Sequence, residues 1–223
     1  MERRAIFRST EGAADSDRLD RADGAAPRRI LLYSHDGTGL GHLRIVLSVA
    51  HALAARCPDD ALLLVTGSLN VSAFDLPANL DFVKLPSVPR RAIYDTIPAP
   101  GVGPEPYQKV MAARSDIALA TFRAFAPDLV VVDHAPAGLF RELIPAFDWL
   151  RQSRPGARFA LLMRDITFSA EQTRQIWQNE AIYPLLDDLY DRILVYGSQD
   201  IFDPIAEYGM SAAAAARTRF CGY

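Results

Sequence analysis

The sequence predicts an α/β fold built on one doubly wound, mostly parallel sheet of seven strands. Short apolar runs alternate along the chain with longer segments in which apolar residues recur every three or four positions. The run at 129–133 opens with four consecutive branched residues, which is typical of a central parallel strand. The run at 30–33 breaks into glycines and then resumes with helical spacing, as a strand followed by a helix does.

The same patterns place the individual elements. Strands are expected at 30–33, 61–66, 80–85, 129–133, 159–163, 193–196 and 217–223, and helices at 43–54, 107–125, 138–150, 170–189 and 201–208, with Pro184 interrupting the fourth helix. Their alternation implies strand order 3-2-1-4-5-6 with helices on both faces. Residues 1–27 lack periodicity and are expected to form a flexible tail, so the domain is placed at 28–223. The proline-rich connection at 86–106 should leave the sheet at the same edge as the glycines.

Composition argues against several classes of function. The chain has 223 residues and a formal net charge of −3, whereas a nucleic-acid-binding surface needs a basic stripe. Only Lys84 and Lys109 are lysines, so a Schiff-base or P-loop lysine has almost no candidates. Cys57 and Cys221 lack the spacing of a disulfide framework or a zinc site. We find neither a signal peptide nor an apolar run near the roughly 20 residues of a membrane span, so a cytoplasmic location is expected and a peripheral membrane contact stays open.

Gly37, Gly39 and Gly41 lie between the first strand and the first helix. Ligands bind at this edge of open α/β sheets, because glycines let the backbone approach and the helix N-terminus points unpaired N–H groups at an anion. A tight turn without a ligand is the alternative. A nicotinamide cofactor is disfavoured, because His42 stands where the G-x-G-x-x-G fingerprint has its third glycine and the second strand ends without a carboxylate at 66–68.

Histidine and aspartate pairs follow two of the predicted strands. His35 and Asp36 come after strand one, Asp133 and His134 come at the end of strand four, and His42 follows the glycines. Strands one and four are neighbours in the expected order, so these side chains could form the metal centre of a hydrolase such as a sugar deacetylase. Adjacent residues of an extended strand point to opposite sides, so at most about half of the five should share one centre. Packed, hydrogen-bonded histidines are the alternative at positions 35 and 134.

The segment 37–42, Gly-Thr-Gly-Leu-Gly-His, resembles the first glycine loop of GT-B glycosyltransferases. Together with 33–36 and 43–44 it resembles a bacterial group of predicted glycosyltransferases that is related to the peptidoglycan N-acetylglucosaminyltransferase family. Further landmarks of that group stand at 65–68, 84–88, 132–134, 163–166 and 193–197, so the resemblance covers nearly all of 29–223. It implies a Rossmann-like, acceptor-side N-terminal domain. Leu40 interrupts the glycine run of the peptidoglycan enzymes, which leaves the acceptor open.

The resemblance also implies roles for individual residues. His42 would be the general base and Asp133 would orient it, a division of labour that suits an imidazole of ordinary pKa near 6.5 acting on a hydroxyl. Capping of the following turn is the alternative for Asp133. The residues expected to bind substrate are Gly37, Thr38, Gly39, Gly41, His134 and Arg164.

The expected reaction is inverting transfer of a sugar from a nucleoside-diphosphate donor to a hydroxyl acceptor, either lipid-linked or a small molecule. No metal or cofactor is expected. GT-B enzymes hold the nucleotide sugar mainly in a second domain, which in this case would come from a continuation of the chain or from a partner polypeptide. The remaining alternatives are the metal-dependent hydrolase and a non-catalytic binding module.

Overall fold

The computed structural model describes residues 26–35, 40–88, 107–166 and 168–223. Several predictions therefore lie outside the described residues. They are the flexible tail up to residue 25, most of the connection at 86–106, and the loop positions Asp36, Gly37, Thr38 and Gly39.

Seven parallel strands form a single open sheet in the order β3-β2-β1-β4-β5-β6-β7. Their bounds are β1 Arg29–Ser34, β2 Ala61–Thr66, β3 Leu80–Lys84, β4 Leu129–Asp133, β5 Arg158–Arg164, β6 Arg192–Tyr196 and β7 Thr218–Phe220. The predicted α/β class, the parallel sheet and the neighbouring positions of strands one and four are confirmed.

Seven α-helices belong to the described part of the chain. They are α1 Gly41–Arg56, α2 Gln108–Phe125, α3 Ile144–Ser153, α4 Ala170–Asn179, α5 Ile182–Asp188, α6 Pro204–Glu207 and α7 Ala212–Arg217, and two short 3-10 turns lie at Val71–Ala73 and Leu139–Arg141. None of these helices is long and apolar enough to cross a membrane.

The predicted helix at 170–189 is two helices, but Pro184 does not cause the break. The chain turns at Ala181, whose φ of 49° is left-handed, and Pro184 lies in the first turn of α5. Proline is tolerated there because the first N–H groups of a helix have no partner within it. The prediction that this helix is interrupted was correct, but the break lies at Ala181 and not at Pro184.

Two other helix predictions differ from the structure, and one helix was not predicted. The helix expected at 138–150 starts only at Ile144, because Gly138, Phe140 and Arg141 take left-handed φ values of 73°, 48° and 65°. The helix expected at 201–208 is the single turn α6. Helix α7 was missed because its run of alanines has no apolar periodicity. Its N-cap, Ser211, accepts a hydrogen bond from the N–H of Ala214 and was the available signal.

The central strand β1 is buried on both faces because its side chains alternate between two apolar clusters. Ile30 and Leu32 pack in the cluster that contains the buried face of α1. Leu31 and Tyr33 pack in the larger cluster, which contains buried apolar residues of α2, α3 and α5. The sheet thus has helices on both faces, and its carboxyl-end edge is left to the loops.

A buried ion pair joins the second of these layers to the sheet. Arg114 of α2 donates to both oxygens of Glu142, from Nε at 2.6 Å and from Nη2 at 2.7 Å, and neither side chain is more than 1% exposed. The hydroxyl of Tyr33 donates to the same carboxylate. Arg114 also donates from Nη1 to the carbonyl oxygen of Pro86 at 2.6 Å. The pair therefore links β1, α2, the residues after β3 and the turn before α3.

We expect Arg114→Ala to lower the free energy of unfolding by about 3–5 kcal/mol, because it leaves the Glu142 carboxylate buried without its partner. Urea unfolding followed by circular dichroism measures the loss. Arg123→Ala is the matched control, since Arg123 is exposed on the same helix, and it should cost less than about 1 kcal/mol. Equal losses in the two variants would contradict the role given to the ion pair.

Candidate active site

The candidate site lies where β1 and β4 end side by side. Tyr33 of β1 pairs with Val132 of β4, so the next residues of both strands reach the carboxyl edge of the sheet together. His35 follows β1, Asp133 is the last residue of β4, and His42 is the second residue of α1. Strand pairing and the packing of α1 against β1 therefore bring three polar side chains to one place.

His42 and Asp133 form a direct hydrogen bond. The distance from His42 Nδ1 to Asp133 Oδ2 is 2.7 Å, and the two residues are only 7% and 0% exposed. When Asp133 is ionised its carboxylate can only accept, so Nδ1 of His42 then donates in this bond, and in the neutral imidazole Nε2 carries the lone pair. The structure thus brings together the two residues predicted to be catalytic, in the geometry of a carboxylate-oriented imidazole.

Tyr196 is a third member of this group that the sequence analysis did not single out as a site residue. Its hydroxyl donates to Asp133 Oδ1 at 3.4 Å, so that both carboxylate oxygens have a partner. Burial raises the pKa of the Asp133 carboxyl, and the hydrogen bonds from His42 and Tyr196 act against this rise. Burial and the nearby Asp133 also raise the pKa of Tyr196, which keeps its proton available for the bond. In the sequence, the position of Tyr196 at the end of a predicted strand was the signal that could have placed it at the same edge of the sheet.

Two further histidine rings lie against His42. The ring of His35 is 4.6 Å away and that of His134 is 5.3 Å away, measured between centroids, and His35 and His134 are 6.0 Å apart. Burial holds the pKa of His134 well below its usual range, and the neighbouring His35 and His42 act in the same direction. His134 is therefore a neutral imidazole at neutral pH.

The expectation that at most about half of the five His and Asp side chains share one centre agrees with the three that have a ligand atom in one group. One ligand atom each from His35, His42 and Asp133 lies within 4.8 Å of the others, and the His134 ring lies beside them. His134 has a φ of 60°, so the alternation of side chains along an extended strand does not apply to it. Asp36 lies outside the described residues.

Of the three glycines of the predicted loop, Gly41 is the one that the structure describes. It is the first residue of α1, and a Cβ added there would meet no atom within 4 Å among the described residues. The preceding Leu40 makes no side-chain capping bond, and the first turn of α1 has no acidic residue. Among the described residues, the first N–H groups of α1 thus have no capping side chain from Leu40 and no acidic residue in their own turn, and the positive end of a helix dipole favours an anion.

Arg164 is the last residue of β5 and its side chain is exposed. Its positive charge acts against the pKa rise of Asp133 and of Tyr196, and it adds to the lowering of the pKa of His134. Arg164 is thus close enough to affect the pKa of Asp133, the partner of His42, while its own side chain is exposed to solvent. It can meet a negatively charged ligand at the mouth of the site.

Exposed apolar side chains surround the same edge of the sheet. Each large hydrophobic residue found exposed in the described ranges lies in a loop beyond a strand's carboxyl end: Leu40 after β1, Leu69 after β2, Ile166 after β5, Ile201 after β6 and Tyr223 after β7. No periodicity in the sequence marks them, because each is a single residue in a different loop.

No protein-family model matches the chain. No curated protein matches it either. Solved structures do. UGT2 of Phytolacca americana, complexed with UDP-2-fluoro-glucose and pterostilbene, matches with a TM-score of 0.53 and 14% identity over 89% of this chain and 54% of that one. The glycotransferase of kitacinnamycin matches with a TM-score of 0.50 and 17% identity over 89% of this chain and 52% of that one.

A third structure, of a putative UDP-N-acetylglucosamine 2-epimerase from Listeria monocytogenes, matches with a TM-score of 0.50 and 10% identity over 87% of this chain and 45% of that one. The fold that this chain shares with them is an open, parallel, Rossmann-like α/β sheet. The chain spans about half the length of each of these structures. At such identities the likeness defines the fold, and the chemistry has to be argued from the site.

Proposed function

We propose that this chain is the acceptor-binding half of an inverting glycosyltransferase, which transfers a sugar from a nucleoside-diphosphate donor to a hydroxyl acceptor. The observation that carries the proposal is the buried 2.7 Å hydrogen bond between His42 and Asp133 at the carboxyl edge of the sheet. The fold shared with glycosyltransferases supports it. The resemblance of segment 37–42 to a GT-B glycine loop points to the same chemistry.

In the proposed reaction, Nε2 of His42 takes the proton of the acceptor hydroxyl. The acceptor oxygen bonds to the anomeric carbon of the donor sugar while the bond from that carbon to the diphosphate breaks, so the configuration inverts and the diphosphate leaves with the electron pair. Asp133 keeps the Nδ1 proton in place and stabilises the imidazolium that forms. The products are the glycoside, the nucleoside diphosphate and the protonated base.

The anionic groups of the substrates have two counterparts at this edge. The uncapped N-terminus of α1 offers backbone N–H groups, and Arg164 offers a solvent-exposed guanidinium. Both suit the charge that grows on a departing diphosphate, or a phosphate carried by the acceptor. His134 and the loop residues Gly37, Thr38, Gly39 and Gly41 remain proposed substrate contacts.

We infer that the nucleotide sugar is held mainly by a second domain facing this edge. The chain spans only about half of each of the two glycosyltransferase structures named above, and single exposed apolar residues lie in the loops at this edge. A peripheral membrane contact and the absence of nucleic-acid partners stay predictions.

Transfer should be weak or undetectable with residues 1–223 alone and should appear when a polypeptide supplies the second domain, because catalysis needs donor and acceptor held in reacting geometry. Mass spectrometry of products from UDP-glucose and UDP-N-acetylglucosamine, with a panel of hydroxyl acceptors, provides the measurement. Reactions without acceptor control for donor hydrolysis. Robust transfer by residues 1–223 alone would show that the donor site is misplaced, and no transfer in either form would overturn the proposal.

A metal-dependent hydrolase, such as a sugar deacetylase, is the second candidate. It is favoured by the ligand atoms of His35, His42 and Asp133, which lie within 4.8 Å of one another. This candidate predicts acetate release from N-acetylated sugars that zinc restores after chelation, without any nucleotide-sugar donor. The glycosyltransferase proposal predicts no acetate release under the same conditions.

A further inference from the structure

We propose that His35, His42 and Asp133 bind one divalent transition-metal ion, of the zinc and cobalt class, at the site of the proposed base. Three of the four histidines in the chain converge at this place. One ligand atom each from His35, His42 and Asp133 lies within 4.8 Å of the other two. Two ligands of a tetrahedral zinc ion, each about 2.0–2.2 Å from the metal, lie roughly 3.4 Å apart. Small side-chain rotations therefore suffice to close the site around an ion.

The chemistry of the ligands selects the class of metal. Two imidazoles and one carboxylate suit zinc, cobalt and nickel, whereas magnesium and calcium prefer oxygen ligands alone. All three residues are buried, which limits competition from water. A set of three protein ligands leaves a further coordination position, as in open zinc sites.

The His134 ring lies next to the three proposed ligands. It lies 5.3 Å from the ring of His42 and 6.0 Å from that of His35. Its Nδ1 is buried and has no hydrogen-bond partner within the described ranges. An unpartnered ring nitrogen next to the cluster can act as a further ligand or accept a hydrogen bond from metal-bound water.

If the chain has the proposed function, a bound metal ion should inhibit sugar transfer. A cation held by His42 occupies a ring nitrogen and draws Asp133 out of its hydrogen bond, so the imidazole can no longer take a proton from the acceptor. Zinc should therefore inhibit sugar transfer, and a chelator should restore it. The cation acts as an occupant that competes with catalysis.

The test uses the purified 223-residue chain, stripped with a chelator and titrated with Co²⁺ in the absence of any sugar. We expect a visible d–d absorption band that saturates at one equivalent of Co²⁺ per chain. The band should disappear when Zn²⁺ displaces the Co²⁺. His35→Ala should weaken binding by about tenfold or more. His51→Ala is the matched control, because His51 is exposed on α1 and bonds the carbonyl oxygen of Asp75 instead, and it should bind like the unmodified chain.

Circular dichroism checks that His35→Ala is folded, and His35→Gln replaces it if it is not. A second measurement needs no variant: the ring Cε1–H resonances of His35 and His42 should shift with Zn²⁺ while that of His51 does not. Absence of saturable binding, or equal binding by the His35 and His51 variants, would overturn the proposal. These readouts are taken without substrate, so they can fail while the transferase proposal holds, and the reverse is also true.

Discussion

Replacing His42 by alanine should lower turnover by about a hundredfold or more in the proposed transferase assembled with a donor-binding domain, because the substitution removes the proposed base for the hydroxyl proton. The loss should appear in kcat, with a smaller effect on the KM of the nucleotide sugar, since the proposed role of His42 is to act on the acceptor. Steady-state kinetics at saturating acceptor, with the concentration of the nucleotide sugar varied, measures both kcat and this KM.

The control for this variant is His51→Ala, which changes an exposed histidine on the same helix and should leave turnover within about twofold, as surface substitutions usually leave a protein little changed. His42 is buried, so circular dichroism and urea unfolding must first show that His42→Ala keeps the fold. Near-normal turnover by the folded His42 variant would remove this residue from the mechanism.

Asp133→Asn should cost about a hundredfold or more in turnover while it changes the shape of the site very little. The amide cannot stabilise an imidazolium, and its NH2 group can donate to Nδ1 of His42, which leaves the proton on Nε2 and removes the lone pair that acts as base. The variant therefore separates the charge of Asp133 from its volume. Kinetics of the assembled enzyme measures the loss, and the ring-proton resonances of His42 report the change of tautomer.

Asp81→Asn is the matched control, because Asp81 is an exposed strand residue whose side chain bonds only to the adjacent N–H of Phe82 among the contacts described. It should leave turnover and the His42 resonances unchanged. If Asp133→Asn lost stability but kept its turnover, Asp133 would be a capping residue of the turn after β4, which is the alternative that the sequence left open.

Much of the fold could be predicted because burial leaves a periodic trace in the sequence. The branched run of β4 and the glycine break after β1 marked strand ends, and the alternation of strands and helices set the sheet order that the structure has. Elements without such a trace were missed or misplaced. The alanines of α7 have no apolar face to detect, and the break between α4 and α5 follows from the left-handed backbone of Ala181.

The candidate site was only partly predictable. His42 and Asp133 were named from a resemblance, and in the structure Nδ1 of His42 lies 2.7 Å from Oδ2 of Asp133. Tyr196 was not given a role, because its hydrogen bond to Asp133 depends on how β4, β5 and β6 align across the sheet. The left-handed His134, which brings a third imidazole beside His42, carries no signal in the sequence either.

By itself the sequence determined the α/β class, the succession of seven parallel strands and the edge at which polar residues gather, since local periodicity and strand order are written in neighbouring residues. Only the tertiary structure decided which of those polar residues touch. His42 and Asp133 are 91 positions apart in the chain, and their contact exists because β1 and β4 pair in one register and α1 turns back over the end of β1. Side-chain contacts at such separations depend on packing, and packing is a property of the folded chain as a whole.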